Sequence, residues 1–212
     1  MHNHSNVHYK NSTTKLKSYL EILQNPESIK ETLTLLLSHN DSSIQLLVLK
    51  QLLKLKIPEL NKFEKSLLSF SSDNDFKDEV IKFQISTLSE TERKVILPYI
   101  IRILNTKLLR KVGKSNRKSL ETRRKIVYRF LSKLAHEDLE MFISQVIEPF
   151  NLTFEDVENQ QILEAKLSHC SFAQYLGFIS SIEGIVKQMG SLVQDFLPIF
   201  CKILITIFKL SK

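Results

Sequence analysis

The stretch DSSIQLLVLKQLL, residues 41–53, decides how the rest of the chain is read. Ile44, Leu47, Val48, Leu52 and Leu55 recur at three- and four-residue steps, the period of one face of an α-helix. Asp41 and Ser42 stand where a short polar side chain caps a first turn. Working back, Leu16, Leu20 and Leu23 form one stripe, and Pro26 opens another through Ile29, Leu33, Leu36 and Leu37. The polar run His39-Asn40-Asp41-Ser42 then becomes the turn of a helical hairpin. Working forward, Pro58 opens a helix that ends in SSDND. Phe76, Val80, Ile81 and Phe83 make the buried side of the next, capped by Asp73 or Asp75 and ending near Leu88.

Asp41, Ile44, Gln45, Val48, Leu49 and Leu52 have the spacing of the second helix of a HEAT repeat. A looser echo begins at Asp75, 34 residues on, and runs through Val80 and Phe83. Ser89-Glu90-Thr91-Glu92 can cap a longer helix in which Leu97, Ile100, Ile101, Leu104 and Leu108 share one face. Pro98 is expected near the start of that helix and Gly113 at its end. The helix after the polar loop buries Leu120, Val127, Leu131 and Leu134. His136-Glu137-Asp138 begins another, which stops near Pro149. Two apolar helices, 170–189 and 191–209, are joined at Gly190, which can end the first in a left-handed conformation.

The expected fold is therefore all-α, an α-solenoid of HEAT-like helical hairpins. Residues 1–11 are read as a disordered polar N-terminus and 12–210 as the repeat segment. Within it lie a basic inter-helical loop at 111–119 and a weakly structured connection at 151–169. Composition agrees, because 42% apolar residues suit a packed core, and four Gly, five Pro and no Trp leave a turn-rich sheet poorly punctuated. Cys170 and Cys201 are isolated among apolar neighbours and are expected as thiols. Asp195, Lys202 and Lys209 interrupt the apolar run 192–210, so it reads as a core helix with no membrane contact.

Charge is distributed unevenly. From Arg102 to Arg129 there are eleven Lys or Arg against one acid, Glu121, whereas the whole chain carries only +7, so the remainder is slightly acidic. A positive block on a nearly neutral body is an electrostatic footprint for a polyanion.

The segment 92–150 goes further than helical pattern. LPYIIRIL at 97–104, the Lys-Gly-Lys turn around Gly113, Arg123-Arg124, Phe130-Leu131 and Glu148-Pro149-Phe150 together resemble the central region of the down-regulated-in-metastasis family. These are very large HEAT-repeat proteins of the small-subunit processome. Flanking segments are similar too, so the resemblance covers about residues 10–210, under a tenth of such a protein, and the chain reads as an internal fragment. The resemblance implies a non-catalytic scaffold in ribosome biogenesis that assembles the small-subunit precursor and supports processing of small-subunit rRNA. Its implied partners are pre-rRNA and processome proteins, in the nucleus and nucleolus, with no enzyme activity, cofactor or small-molecule substrate.

The expected RNA-facing residues are Arg102, Arg110, Lys111, Lys114, Arg117, Lys118, Arg123, Arg124, Lys125 and Arg129. Arg102, Thr106 and Arg110 fall on the side of their helix away from the leucine stripe, as an exposed ladder. Arg123 and Arg124 lie beside the stripe of the next helix, with stems packed and guanidinium heads at the rim. Such an array neutralises phosphates without reading bases. Tyr128 and Phe130 are expected to pack rather than stack on bases. The rival reading is a basic ridge that docks an acidic protein.

Other clusters suggest no chemistry. His2, His4 and His8 lack an organised second shell for a metal, and neighbours such as His169 and Cys170 diverge on a helix. Glu137-Asp138 and Glu155-Asp156 read as acids at helix starts, favoured by the unpaired N–H groups there.

Overall fold

The computed structural model describes residues 25–39, 41–109 and 117–211, with the side chains of Pro26, Leu109 and residues 117–119 excepted. The expected polar N-terminus and the stripe at Leu16, Leu20 and Leu23 lie outside the described residues. Within them the protein is an all-α solenoid of paired helices and contains no strand. The helices are α1 Pro26–Leu36, α2 Ser42–Lys54, α3 Pro58–Lys62, α4 Glu64–Ser71, α5 Phe76–Lys82, α6 Glu90–Leu109 and α7 Arg117–Leu131. They continue as α8 His136–Ile147, α9 Phe154–Glu158, α10 Gln160–Ser168, α11 Phe172–Met189 and α12 Leu197–Leu210.

Local chemistry explains most boundaries. Asn25 and Asp41 accept hydrogen bonds from the backbone N–H groups of Glu27 (3.1 Å) and Ser43 (2.8 Å), so α1 and α2 start as the capping residues require. Ser89 and Glu92 form the reciprocal cap of α6, with Ser89 N–H donating to the Glu92 carboxylate at 2.8 Å. Lys62 also pairs with that carboxylate. These hydrogen bonds hold the Glu92 pKa down to about 2. Because α6 begins at Glu90, Pro98 lies well inside it, not near its start, and the Lys94 carbonyl loses its helical donor.

Central to the stack is α6. Ile96, Leu97, Ile100, Ile101, Ile103 and Leu104 are all fully buried, so the helix is covered on more sides than the single stripe expected. The cause is position, since α3 and α4 pack on it from the preceding layers and α7, α8 and α11 from the following ones. An aromatic cluster joins the first layers, with Phe70 edge-on to Phe83 at 5.3 Å and to Phe130 at 6.0 Å.

Four further departures from the sequence pattern have physical reasons. The helix opened by Pro58 is two pieces, α3 and α4, hinged at Phe63. Ile81 is exposed because seven-residue α5 turns only Phe76 and Val80 inward. Residues 151–169, read as weakly structured, hold α9 and α10. A capping box at Thr153 and Asp156, an Asn159 cap, and buried Val157, Leu163 and Leu167 are sufficient to fix these short helices. Gly190 ends α11 with φ 54° and ψ −124°, a backbone that side chains disfavour, and a 3₁₀ stretch from Gly190 to Phe196 delays α12 to Leu197.

The run Phe172–Leu210 is apolar and long enough to span a bilayer by length and composition. That stretch breaks at Gly190 into α11 and α12, of 18 and 14 residues. At 1.5 Å per residue the longer is about 27 Å, short of the ~30 Å hydrocarbon layer.

Candidate nucleic-acid interface

The basic stretch is built on the α6–α7 pair, and the structure divides it by function. Lys107, which contributes to the charge count, is 1% exposed. Its ammonium donates to Ser42 Oγ, the Ser71 carbonyl and Asp73 Oδ1, each at 2.9 Å, and lies 5.7 Å from the centre of the Phe76 ring. This cation belongs to the core and joins α6 to the start of α2 and the end of α4.

Arg102 is not an exposed rung. Its guanidinium grips Glu148 with two hydrogen bonds, 2.8 and 3.2 Å, and donates to Ser38 Oγ at 2.8 Å, leaving its side chain 13% exposed. Thr106 is buried, and its hydroxyl donates to the Arg102 carbonyl at 3.0 Å. The face expected to point outward is covered by the end of α1, whose Leu37 carbonyl lies 3.5 Å from the same hydroxyl. Arg110, Lys111 and Lys114 lie outside the described residues. Arg117 and Lys118 fall on the first turn of α7, with their side chains not described.

Arg123 and Arg124 do lay their stems along neighbouring helices, but their heads turn inward as well. Arg123 Nη1 is 3.9 Å from Asp73, the carboxylate that also receives Lys107, and its guanidinium lies 5.9 Å from the Phe76 ring centre. Its Nε is buried without an acceptor. Arg124 Nε donates at 3.2 Å to the carbonyl of Leu108, near the C-terminal end of α6, where a cation is favoured. Lys125 and Arg129 are exposed on α7, one turn apart. Tyr128 and Phe130 are buried, as expected of packing residues, and burial pushes the Tyr128 hydroxyl pKa up.

A contribution from α11 was missed in the sequence. Lys187 lines a groove of about 510 Å³ together with Arg124 and Lys125 of α7. No local charge count could find it, because the two helices are distant in sequence. The close approach depends on Gly184, where a Cβ would stand 2.4 Å from the Tyr128 hydroxyl oxygen.

Among the described residues no group of three His, Cys, Asp or Glu side chains could hold a metal ion. One acid of each adjacent pair is held by a neighbouring cation. Asp138 binds Arg93, and Asp156 accepts from Lys166 at 2.8 Å and from the Thr153 backbone at 2.7 Å, which hold its pKa to about 2. The Cys170 thiol is partly buried, which raises its pKa, and it donates to the Lys166 carbonyl at 3.5 Å.

Comparison with known proteins connects this frame to a family. The family model described as the N-terminal region of U3 small nucleolar RNA-associated protein 20 matches residues 14–212. The protein of that name from Schizosaccharomyces pombe is 24% identical over 182 residues, covering 82% of this chain and 7% of its own length. Its Saccharomyces cerevisiae counterpart is 34% identical over 79 residues, covering 35% of this chain and 3% of its own length. The chain thus corresponds to a small part of these relatives. The resemblance to down-regulated-in-metastasis proteins is resolved as the same kinship, and the chain belongs to the U3 small nucleolar RNA-associated protein 20 family.

Proposed function

We propose that this segment is a non-catalytic scaffold in ribosome biogenesis, acting in the nucleolus on the small-subunit precursor and binding pre-rRNA and processome proteins. The family's printed name associates its relatives with a small nucleolar RNA, and stacked helical pairs offer the long surfaces that extended partners need. The observation that carries RNA contact is the exposed cationic side of α7, where Lys125 and Arg129 continue the charge of residues 110–118. Arg102 and Arg123, by contrast, hold helices together through Glu148 and Asp73. RNA contact therefore rests on Arg110, Lys111, Lys114, Arg117, Lys118, Lys125 and Arg129, with Arg124 contributing from a fixed position.

Those internal ion pairs also support a second reading, in which basic residues of this region dock acidic protein surfaces. Reversing Lys111, Lys114, Arg117 and Lys118 to Glu and measuring binding to a pre-rRNA fragment against salt separates the two. Phosphate contact gives weaker affinity and a log-affinity slope shallower by about 0.7 per lost contact on single strands. An unchanged slope favours the docking of an acidic protein by these four residues.

A further inference from the structure

We infer that the groove between α7 and α11 seats single-stranded RNA by its ribose-phosphate backbone, an inference that rests on the RNA contact proposed above and locates a second surface for it. Three cations converge there from two helices, Arg124 and Lys125 from α7 and Lys187 from α11. Arg124 is oriented before any ligand arrives, because its Nε is already held by the Leu108 carbonyl, and a pre-set guanidinium loses little freedom on binding phosphate. The floor is rigid, since Tyr128 is buried and its hydroxyl is pressed against Gly184. Arg129, exposed one turn beyond Lys125, extends the positive row out of the groove.

Two carboxylates, Glu121 and Glu183, line the same groove, each one helical turn before a lysine, yet neither is ion-paired with Lys125 or Lys187. Their presence discriminates between polyanions. An acidic peptide would bring mainly carboxylates to this lining and would be repelled by the two glutamates. RNA brings phosphates for the cations together with 2′-hydroxyl and amino donors for the glutamates. DNA offers the phosphates without the 2′-hydroxyl, so the groove distinguishes the two nucleic acids.

The experiment uses the whole 212-residue chain, with a mixed-sequence single-stranded RNA oligonucleotide and the DNA of the same sequence as fluorescent probes over a salt series. All four substituted residues are exposed, so both double variants are expected to fold. Lys125→Gln with Lys187→Gln is expected to reduce the log-affinity slope on RNA by about 1.4. Glu121→Ala with Glu183→Ala, which leaves no acceptor for the 2′-hydroxyl, is expected to remove the preference for RNA over DNA. If the lysine variant keeps its slope while the Lys111, Lys114, Arg117 and Lys118 reversal reduces it, the groove assignment is wrong and the wider RNA reading stands. If the unaltered chain binds neither probe, both fall.

Discussion

Replacing Lys107 by Met tests whether the basic stretch conceals a structural cation. The side chain is 1% exposed and donates to three acceptors at 2.9 Å. A hydrogen bond from a charged group contributes a net ~1.5–3 kcal/mol, but removing the buried ammonium also relieves a desolvation cost of several kcal/mol. Asp73 is 39% exposed and can rehydrate, so its loss of a partner is discounted. The Ser71 carbonyl, within a fully buried residue, loses a donor, at about 1–3 kcal/mol. Met fills the stem's volume and creates little cavity. The expected net destabilisation is thus about 1–3 kcal/mol, read by urea denaturation with an unchanged m-value. A cycle with Asp73→Asn should give a coupling of about 0.5–3 kcal/mol. A change below about 0.5 kcal/mol, the range of ordinary surface substitutions, with no coupling to Asp73 would refute the placement of this ammonium in the core.

Three other outcomes are expected. Gly184→Ala gains about 1 kcal/mol of helix propensity but loses about 1–3 kcal/mol to overpacking against Tyr128. Thermal melts should therefore show it neutral to destabilised, and combining it with Tyr128→Phe should recover part of the loss. The lowered carboxylates of Glu92 and Asp156, both at about 2, stabilise the fold fully above their ordinary range near 4. That contribution is lost as pH falls from there toward 2, so Glu92→Gln and Asp156→Asn should flatten the acid limb of a stability–pH profile. The outer side of α11 and α12 exposes Phe172 (68%), Phe208 (67%) and Ile205 (56%). Light scattering should show concentration-dependent association, reduced by Phe172→Ser with Phe208→Ser, and a monodisperse unaltered chain would contradict this.

Local features of the fold were legible and tertiary ones were not. The caps at Asp41 and Ser89 are written within three residues of the groups they satisfy, so short-range chemistry identifies them. Helix α6 shows the limit, because a stripe of Leu97, Ile101 and Leu104 says nothing about whether Ile96 and Ile103 are also covered. That depends on how many layers meet the helix, and here elements from before and after it in the sequence pack on it. Arg102 was misread for the same reason. The side opposite an apolar stripe is exposed only where no other layer meets it, and here Ser38 and Glu148 do.

The treatment of charge follows from this geometry. Formal charge counted along a sequence sums groups with unequal access to a ligand, and in this chain the sorting variable is position relative to the stacked layers. Lys107 and Arg102 lie where layers meet, and their charge is answered by Asp73 and Glu148. Lys125 and Arg129 lie on the free side of α7, and Lys187 reaches that side from another helix. The proposed RNA contact therefore draws on fewer of the cations between residues 102 and 129 than composition suggests, and on Lys187 from outside that stretch. Lys187→Gln should consequently weaken RNA binding, read as a shallower salt slope, more than Arg102→Gln, although only Arg102 lies within the basic stretch. Arg102→Gln should instead reduce stability by breaking its bidentate pair with Glu148. Equal effects on binding would mean that charge count, rather than placement, governs the interaction.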